Sequence, residues 1–127
     1  MTARVRGRRL WLRAQAHGHA IPVYVVKAPL FDPEDPKIEC DAYYNCEEPV
    51  ILVRQMDNVD LMRQRLHHEL LHVCFGAHSG DSLDKVFGAH KGRGKREEDV
   101  CSFLEPIQYD LLVRNGWLKY PKPPRVK

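Results

Sequence analysis

The sequence predicts an α+β fold in which a small, mostly antiparallel sheet precedes two helices. Short segments rich in β-branched and aromatic residues fill the first half of the chain, as strands would. Two longer segments, at residues 57–76 and 96–115, repeat their apolar residues at helical spacing. With 127 residues and 43% hydrophobic content, the chain suits a single domain over residues 1–127.

The predicted sheet consists of segments at residues 4–14, 21–27, 38–44 and 49–54. β-branched and aromatic residues dominate the first two segments. Residues 28–37 contain three prolines and are predicted to form a surface loop. The last two segments are separated by four residues and predict a hairpin, and the apolar run "PVILV" favours a strand that packs under a helix.

The first helix is expected to begin at Asp57 or Asn58, either of which can cap it, and to end at Gly76. A helical wheel gives it two opposite apolar faces. Only a narrow polar strip, which includes His67, is left for solvent. This pattern is typical of a helix that lies between a sheet and a second helix.

The second helix is expected over residues 96–115, and Pro106 should kink or split it because proline removes one backbone donor. Residues 77–96 are predicted to be mostly loop, with one helical turn around residues 83–87. Residues 119–127 are predicted to form an irregular tail. The apolar face of the second helix is predicted to comprise Val100, Phe103, Leu104, Ile107 and Leu111.

Composition and charge exclude several classes of protein. No apolar stretch approaches the roughly 20 residues needed to cross a bilayer, and no secretory signal is evident, so we expect a soluble, cytoplasmic protein without membrane contact. The four cysteines are expected to be reduced thiols, with Cys74 and Cys101 buried. The net charge is +3, but basic residues crowd both ends, which leaves open a weak contact with nucleic acid or another polyanion.

The stretch "HELLH" carries the clearest chemical pattern in the chain. Helical spacing puts the imidazoles of His68 and His72 on one face, one turn apart, where both can bind one metal ion. Glu69 then lies beside the metal, as in a zinc hydrolase whose glutamate accepts a proton from metal-activated water. The alternative is an ordinary helix with surface histidines, but the wheel places His68 and His72 among apolar residues.

A catalytic zinc site needs a third protein ligand. His78 and His90 are alternatives, but acids at the start of the second helix are better placed. At about 100° per residue, Glu97 lies roughly 50° from the centre of that helix's apolar face, whereas Glu98 lies roughly 150° from it. Glu97 is therefore predicted to point at the metal, and Glu98 and Asp99 are predicted to face solvent.

The segments "RQRLHHELLH" and "EEDVCSFLEPIQYDLLVRNG" resemble the small ImmA/IrrE-type metallopeptidases and related phage and bacterial zincins. The resemblance covers residues 38–116. It implies a zincin-like, gluzincin-like domain, in which a compact sheet precedes the HExxH helix and a later helix supplies a glutamate ligand. Glu97, followed by Val100 and Phe103, matches that ligand. SprT-like proteases also look similar around the motif, but they commonly use a third histidine.

The resemblance implies a zinc metalloendopeptidase with one Zn2+ per chain. We expect it to hydrolyse peptide bonds of a protein or peptide substrate, laid along a sheet edge such as residues 49–54. The alternatives are a non-catalytic, metal-stabilised domain that binds a protein or polyanion, and a SprT-like protease acting near nucleic acid. Manganese or iron could occupy the same ligands. Four residues are candidates for stabilising an oxyanion, and none is assigned that role: Tyr43, Tyr44, Tyr109 and Arg114.

Overall fold

The computed structural model describes residues 7–16, 18–32, 35–45, 47–77 and 93–127. Within these ranges the chain forms a four-stranded sheet, a two-stranded ladder and two α-helices, the second of which continues as a π-helix. The protein is therefore a small α+β fold with a mostly antiparallel sheet, as the sequence predicts. Neither helix in the described ranges is both long enough and apolar enough to cross a membrane.

The main sheet has the strand order β1-β2-β6-β5. Its outer pairs are antiparallel and its central pair, β2 with β6, is parallel. The hairpin predicted in residues 38–54 is confirmed by the pairing of β5 with β6, although β5 is shorter than predicted. The strands are β1 Arg8–Ala16, β2 His19–Val26, β3 Leu30–Phe31, β4 Glu39–Cys40, β5 Ala42–Asn45 and β6 Val50–Arg54.

The segment between β2 and β5 differs from the prediction of a proline-rich loop followed by one strand. β3 and β4 pair with each other, and Asp41 separates β4 from β5. A turn brings the two short strands together: the N–H of Asp35 donates to the carbonyl of Asp32, and the Asp35 carboxylate accepts from the N–H of Lys37. Local hydrogen bonding by aspartate therefore allows a ladder where the prolines suggested none.

Helix α1, Val59–Ala77, lies across the sheet. Asn58 caps it as predicted, because its Oδ1 accepts a hydrogen bond from the N–H of Leu61 at 3.0 Å. The predicted packing of the "PVILV" strand under this helix is confirmed. Burial of each large side chain in this layer contributes roughly 1.5–3 kcal/mol to the stability of the fold. The fully buried side chains between helix and sheet are Val23, Val25, Ile51, Val53, Met62, Leu66 and Val73.

Residues 119–127 are irregular, as predicted, but they pack against the rest of the molecule. The side chain of Val126 belongs to the core, and the indole N–H of Trp11 donates to the carbonyl of Pro121 at 2.9 Å. The Gln55 side chain exchanges two hydrogen bonds with the main chain of Val126. The tail is therefore a structural part of the fold.

The tail also explains why the prediction of a solvent-facing His67 was wrong. His67 is only 5% exposed, because Tyr120 and the second helix cover it. The hydroxyl of Tyr120 donates to Nδ1 of His67 at 2.6 Å, and Nε2 donates to Oε1 of Gln108 at 3.1 Å. Both ring nitrogens are thus satisfied inside the protein.

Helix α2, Arg93–Gln108, is followed directly by the π-helical segment Tyr109–Arg114. Pro106 lies inside α2 and does not split it, and the change to the π-helix begins three residues later, at Tyr109. Because Pro106 has no N–H to donate to the preceding turn, the α-helical ladder is already weakened where the wider π turns begin. The predicted helical turn at residues 83–87 lies outside the described residues.

The predicted apolar face of α2 was wrong. Phe103 is 67% exposed, and Ile107 and Leu111 are each about half exposed. The side facing α1 instead carries Cys101, Glu105 and Tyr109, which are buried at intervals of four residues. The helix is turned by roughly a third of a revolution from the predicted orientation. The physical reason is that α1 presents polar side chains to α2, so carboxylates pack there beside Cys101 and Tyr109.

Candidate metal centre

Two histidines of α1 form one side of the candidate site. His68 and His72 lie one turn apart, and their ring centroids are 5.0 Å from each other. Both side chains are mostly buried, at 13% and 15% exposure, between α1 and α2. The predicted placement of both imidazoles on one inward face is confirmed.

Glu98 of α2 bridges the two histidines. Its Oε1 lies 3.0 Å from Nε2 of His68, and its Oε2 lies 2.6 Å from Nε2 of His72. One ligand atom from each of the three residues falls within 4.8 Å of the others. In a tetrahedral zinc site with bonds of about 2.0–2.1 Å, ligand atoms are separated by about 3.3 Å. Two imidazoles and a carboxylate are a donor set that suits zinc, and their atoms lie close enough together for small side-chain shifts to reach this spacing.

Glu97 lies on the other side of His72. Its Oε2 accepts a hydrogen bond from Nδ1 of His72 at 2.8 Å. The prediction that Glu98 faces solvent and leaves only Glu97 pointing inward was wrong, because the rotation of α2 brings both glutamates to the interface. Although Glu98 is half exposed, its carboxylate meets both Nε2 atoms. The alternative ligands His78 and His90 lie outside the described residues.

Glu69 is buried next to the histidines, at 8% exposure. Burial raises the pKa of its carboxyl group to about 7, and a hydrogen bond from the main chain of Tyr44 partly opposes that shift. Tyr44 belongs to β5, an edge strand of the main sheet. The carboxyl group therefore lies where α1 meets this edge, with a proton affinity suited to gaining and losing a proton near neutral pH.

Sequence reasoning missed Glu105. This side chain is 6% exposed, and it accepts hydrogen bonds from Nε2 of Gln64 at 2.7 Å and from Arg65 at 3.3 Å. Its Oε1 also lies 3.5 Å from Nδ1 of His68. Arg65 in turn reaches Asp41, beside β5, at 3.5 Å. The sequence contains one signal that could have found Glu105. It follows Glu98 by seven residues, close to two helical turns, so the two side chains lie on the same side of α2.

The electrostatic environments of the two histidines differ. Burial lowers the pKa of His68. Burial also acts to lower the pKa of His72, but hydrogen bonds with Cys101 and Glu97 outweigh it and the net shift is upward. Cys101 and the neighbouring carboxylates therefore favour positive charge at this point.

The oxyanion candidates divide into two groups. Tyr109 and Arg114 hold Asp60, through contacts of 2.7 Å and 3.3 Å, and Asp60 lies eight residues before His68 on α1. At 1.5 Å per residue this is about 12 Å along the helix axis, so the Tyr109 hydroxyl and the Arg114 guanidinium are held away from His68 and His72. Tyr43 and Tyr44 lie on β5, the strand whose main chain contacts Glu69.

The sheet edge nearest the site is β5 and not the strand that the sequence suggested for substrate pairing. Residues 50–54 form β6, which pairs with β2 on one side and β5 on the other. That expectation was therefore wrong, since an internal strand has no unpaired backbone groups to offer. In the described residues, no strand pairs with the outer side of β5.

The cysteines that the structure describes are free thiols, namely Cys40, Cys74 and Cys101. Cys101 is fully buried beside His72, as expected. Cys74 is exposed, contrary to expectation. Comparisons of this chain with protein-family models, with curated proteins and with solved structures found no match.

Proposed function

We propose that this protein is a zinc-dependent metallopeptidase with a zincin-like fold, which hydrolyses peptide bonds of a protein substrate. The observation that carries the proposal is the convergence of His68, His72 and Glu98 beside a buried Glu69. The resemblance of the HExxH segment to ImmA/IrrE-type metallopeptidases supports it, as does the small α+β architecture. One Zn2+ per chain would be held by the two Nε2 atoms and the Glu98 carboxylate.

Glu98 takes the place of Glu97 as the third ligand in this proposal. Its two oxygens face the Nε2 atoms of both histidines, whereas Glu97 contacts only Nδ1 of His72. Three protein ligands leave a fourth position open for chemistry, as catalytic zinc sites require. The zinc ion would act as a Lewis acid and lower the pKa of a coordinated water.

Glu69 is the general base in this proposal. Its carboxyl group, with a pKa of about 7, would accept a proton from the attacking water and return it to the nitrogen of the departing amine. The main chain of Tyr44 fixes this carboxylate at the edge strand β5. A substrate peptide paired with the outer side of β5 would therefore have its scissile carbonyl group beside Glu69.

The experiment combines metal analysis with a cleavage assay. The purified wild-type protein, loaded with zinc, is incubated with a mixture of unstructured peptides, and mass spectrometry identifies new peptide termini. We expect about one zinc per chain and cleavage that stops when a chelator removes the metal. Glu69→Gln is the matched control, since it should bind zinc with wild-type stoichiometry and cleave at least about 100-fold more slowly.

Two results would contradict the proposal. If Glu69→Gln cleaved as fast as the wild type, Glu69 would not be the base. If the zinc-bound wild type were stabilised against unfolding but cut neither peptides nor folded proteins, the metal would serve a non-catalytic binding domain instead.

A further inference from the structure

We propose that Glu97 and Glu105 are positioning residues, of which Glu97 orients His72 and Glu105 orients His68. Each carboxylate would hold its histidine ring with Nδ1 toward itself and Nε2 toward Glu98. This inference rests on the proposed function, because such positioning matters only if the Nε2 atoms bind a metal. Neither Glu97 nor Glu105 would touch the ion. Each would act through the histidine that it faces.

The case for Glu97 is a direct hydrogen bond. Its Oε2 lies 2.8 Å from Nδ1 of His72, a short distance for a charge-assisted pair. A carboxylate can only accept, so Nδ1 must carry the proton. Nε2 of His72 also faces a carboxylate, the Oε2 of Glu98 at 2.6 Å, so it too carries a proton in the absence of metal. Loss of that proton would free the Nε2 lone pair for an ion, while the Nδ1 proton stays on the side of Glu97.

The case for Glu105 is its fixed location. Gln64 and Arg65 both donate to its carboxylate, which is almost fully buried between the helices. Its Oε1 lies 3.5 Å from Nδ1 of His68, within ion-pair range but longer than a good hydrogen bond. Its effect on His68 should therefore be weaker than that of Glu97 on His72.

The three glutamates of α2 thus have different roles, which follow from their positions on the helix. Glu98 faces both Nε2 atoms, while Glu97 and Glu105 face the two Nδ1 atoms. A carboxylate at the far nitrogen fixes ring orientation and makes the ligating nitrogen more basic. Loss of such a partner typically weakens metal affinity by about 10–100-fold without removing a ligand.

The test measures zinc affinity by competition with a chelator for the wild type, Glu97→Gln, Glu105→Gln and Glu98→Gln. We expect the first two variants to keep one zinc per chain and to lose about 10–100-fold in affinity, with the greater loss for Glu97→Gln. Glu98→Gln should lose more than either. Asp99→Asn is the matched control, since it removes the same charge from an exposed neighbouring position and should change affinity less than about 3-fold.

A second readout separates positioning from packing. A purely structural role would lower the unfolding free energy of the metal-free protein and leave the zinc affinity of its folded molecules unchanged. In the zinc-loaded wild type, 15N NMR should show both His68 and His72 protonated on Nδ1 and bound through Nε2. Binding of either histidine through Nδ1 would overturn the inference.

The failures of the two proposals are distinguishable. A wild type that takes up no zinc would overturn the proposed function and, with it, this inference. A wild type that binds one zinc, together with a Glu97→Gln variant of equal affinity, would overturn the inference alone. Equal losses for Glu97→Gln and Asp99→Asn would do the same, because they would indicate an effect of net charge only.

Discussion

At the scale of single residues, the two histidines of the site begin in different protonation environments, and this predicts the pH dependence of metal binding. Burial lowers the pKa of His68, so this residue is already neutral near pH 7. Cys101 and Glu97 raise the pKa of His72 despite its burial, so its proton must leave before Nε2 can bind a metal. Protons and zinc therefore compete, and lower pH favours the protons.

We accordingly expect zinc binding at pH 7 to release about one proton. Zinc affinity should fall steadily as the pH is lowered through neutral, because the pKa of His72 is raised to about 11 and its proton competes throughout this range. Calorimetry in two buffers of different ionisation enthalpy would count the protons, and chelator competition would give the affinities. An affinity that stays flat from neutral pH to about pH 5 would indicate that these histidines do not hold the ion.

A second residue-scale prediction concerns Tyr120, whose hydroxyl donates to the buried Nδ1 of His67. Tyr120→Phe leaves that nitrogen without its partner, and a buried polar group without a hydrogen bond costs about 1–3 kcal/mol. Urea denaturation should show this loss in the free energy of unfolding. Tyr24→Phe is the control, because it keeps the ring that stacks on Arg8 and should change stability by less than about 0.5 kcal/mol. Equal effects of the two substitutions would contradict the role of the hydroxyl.

At the scale of elements, α1 was predictable from sequence and the orientation of α2 was not. The sheet-facing side of α1 carries apolar residues such as Met62 and Leu66 that must leave water, so periodicity alone locates it. The partner of α2 is the polar side of α1, so the inward side of α2 is set by hydrogen bonds. Hydrophobic periodicity contains no signal for such an interface, which is why Glu98 was assigned to solvent and Glu105 was overlooked.

The rotated orientation of α2 gives a stability prediction. Phe103 is mostly exposed, so Phe103→Ala should change the free energy of unfolding by less than about 0.5 kcal/mol. Leu66, which has no exposed surface, provides the contrast, since Leu66→Ala should cost about 2–5 kcal/mol. Both values would come from urea denaturation followed by circular dichroism. A loss above 2 kcal/mol for Phe103→Ala would indicate that the originally predicted apolar face is the buried one.

At the scale of the whole molecule, the sheet, α1 and α2 form successive layers, with an apolar interface below α1 and a polar one above it. The order of the strands was beyond sequence reasoning, because the parallel pairing of β2 with β6 joins segments separated by three other strands. This pairing makes β6 internal and leaves β5 at the edge beside Glu69. The location of the candidate site at a sheet edge is thus a consequence of topology.

The tail is the other whole-molecule feature that local pattern could not reveal, and it yields the last prediction. Removing residues 119–127 takes the side chain of Val126 out of the core. Its burial stabilises the fold by roughly 1.5–3 kcal/mol. The truncation also removes the partners of Trp11 and His67, each worth about 1 kcal/mol. Together these losses should lower the free energy of unfolding by about 3 kcal/mol or more.

Urea denaturation of the truncated chain would measure this loss, and the fluorescence of the folded protein should shift to longer wavelength because Trp11 loses its cover. Lys127→Ala, which changes only an exposed side chain at the end of the tail, is the matched control and should leave stability within about 0.5 kcal/mol of wild type. If the chain ending at residue 118 were as stable as the full chain, the tail would not be part of the fold. The burial of His67, next to the first candidate ligand, would then need another explanation.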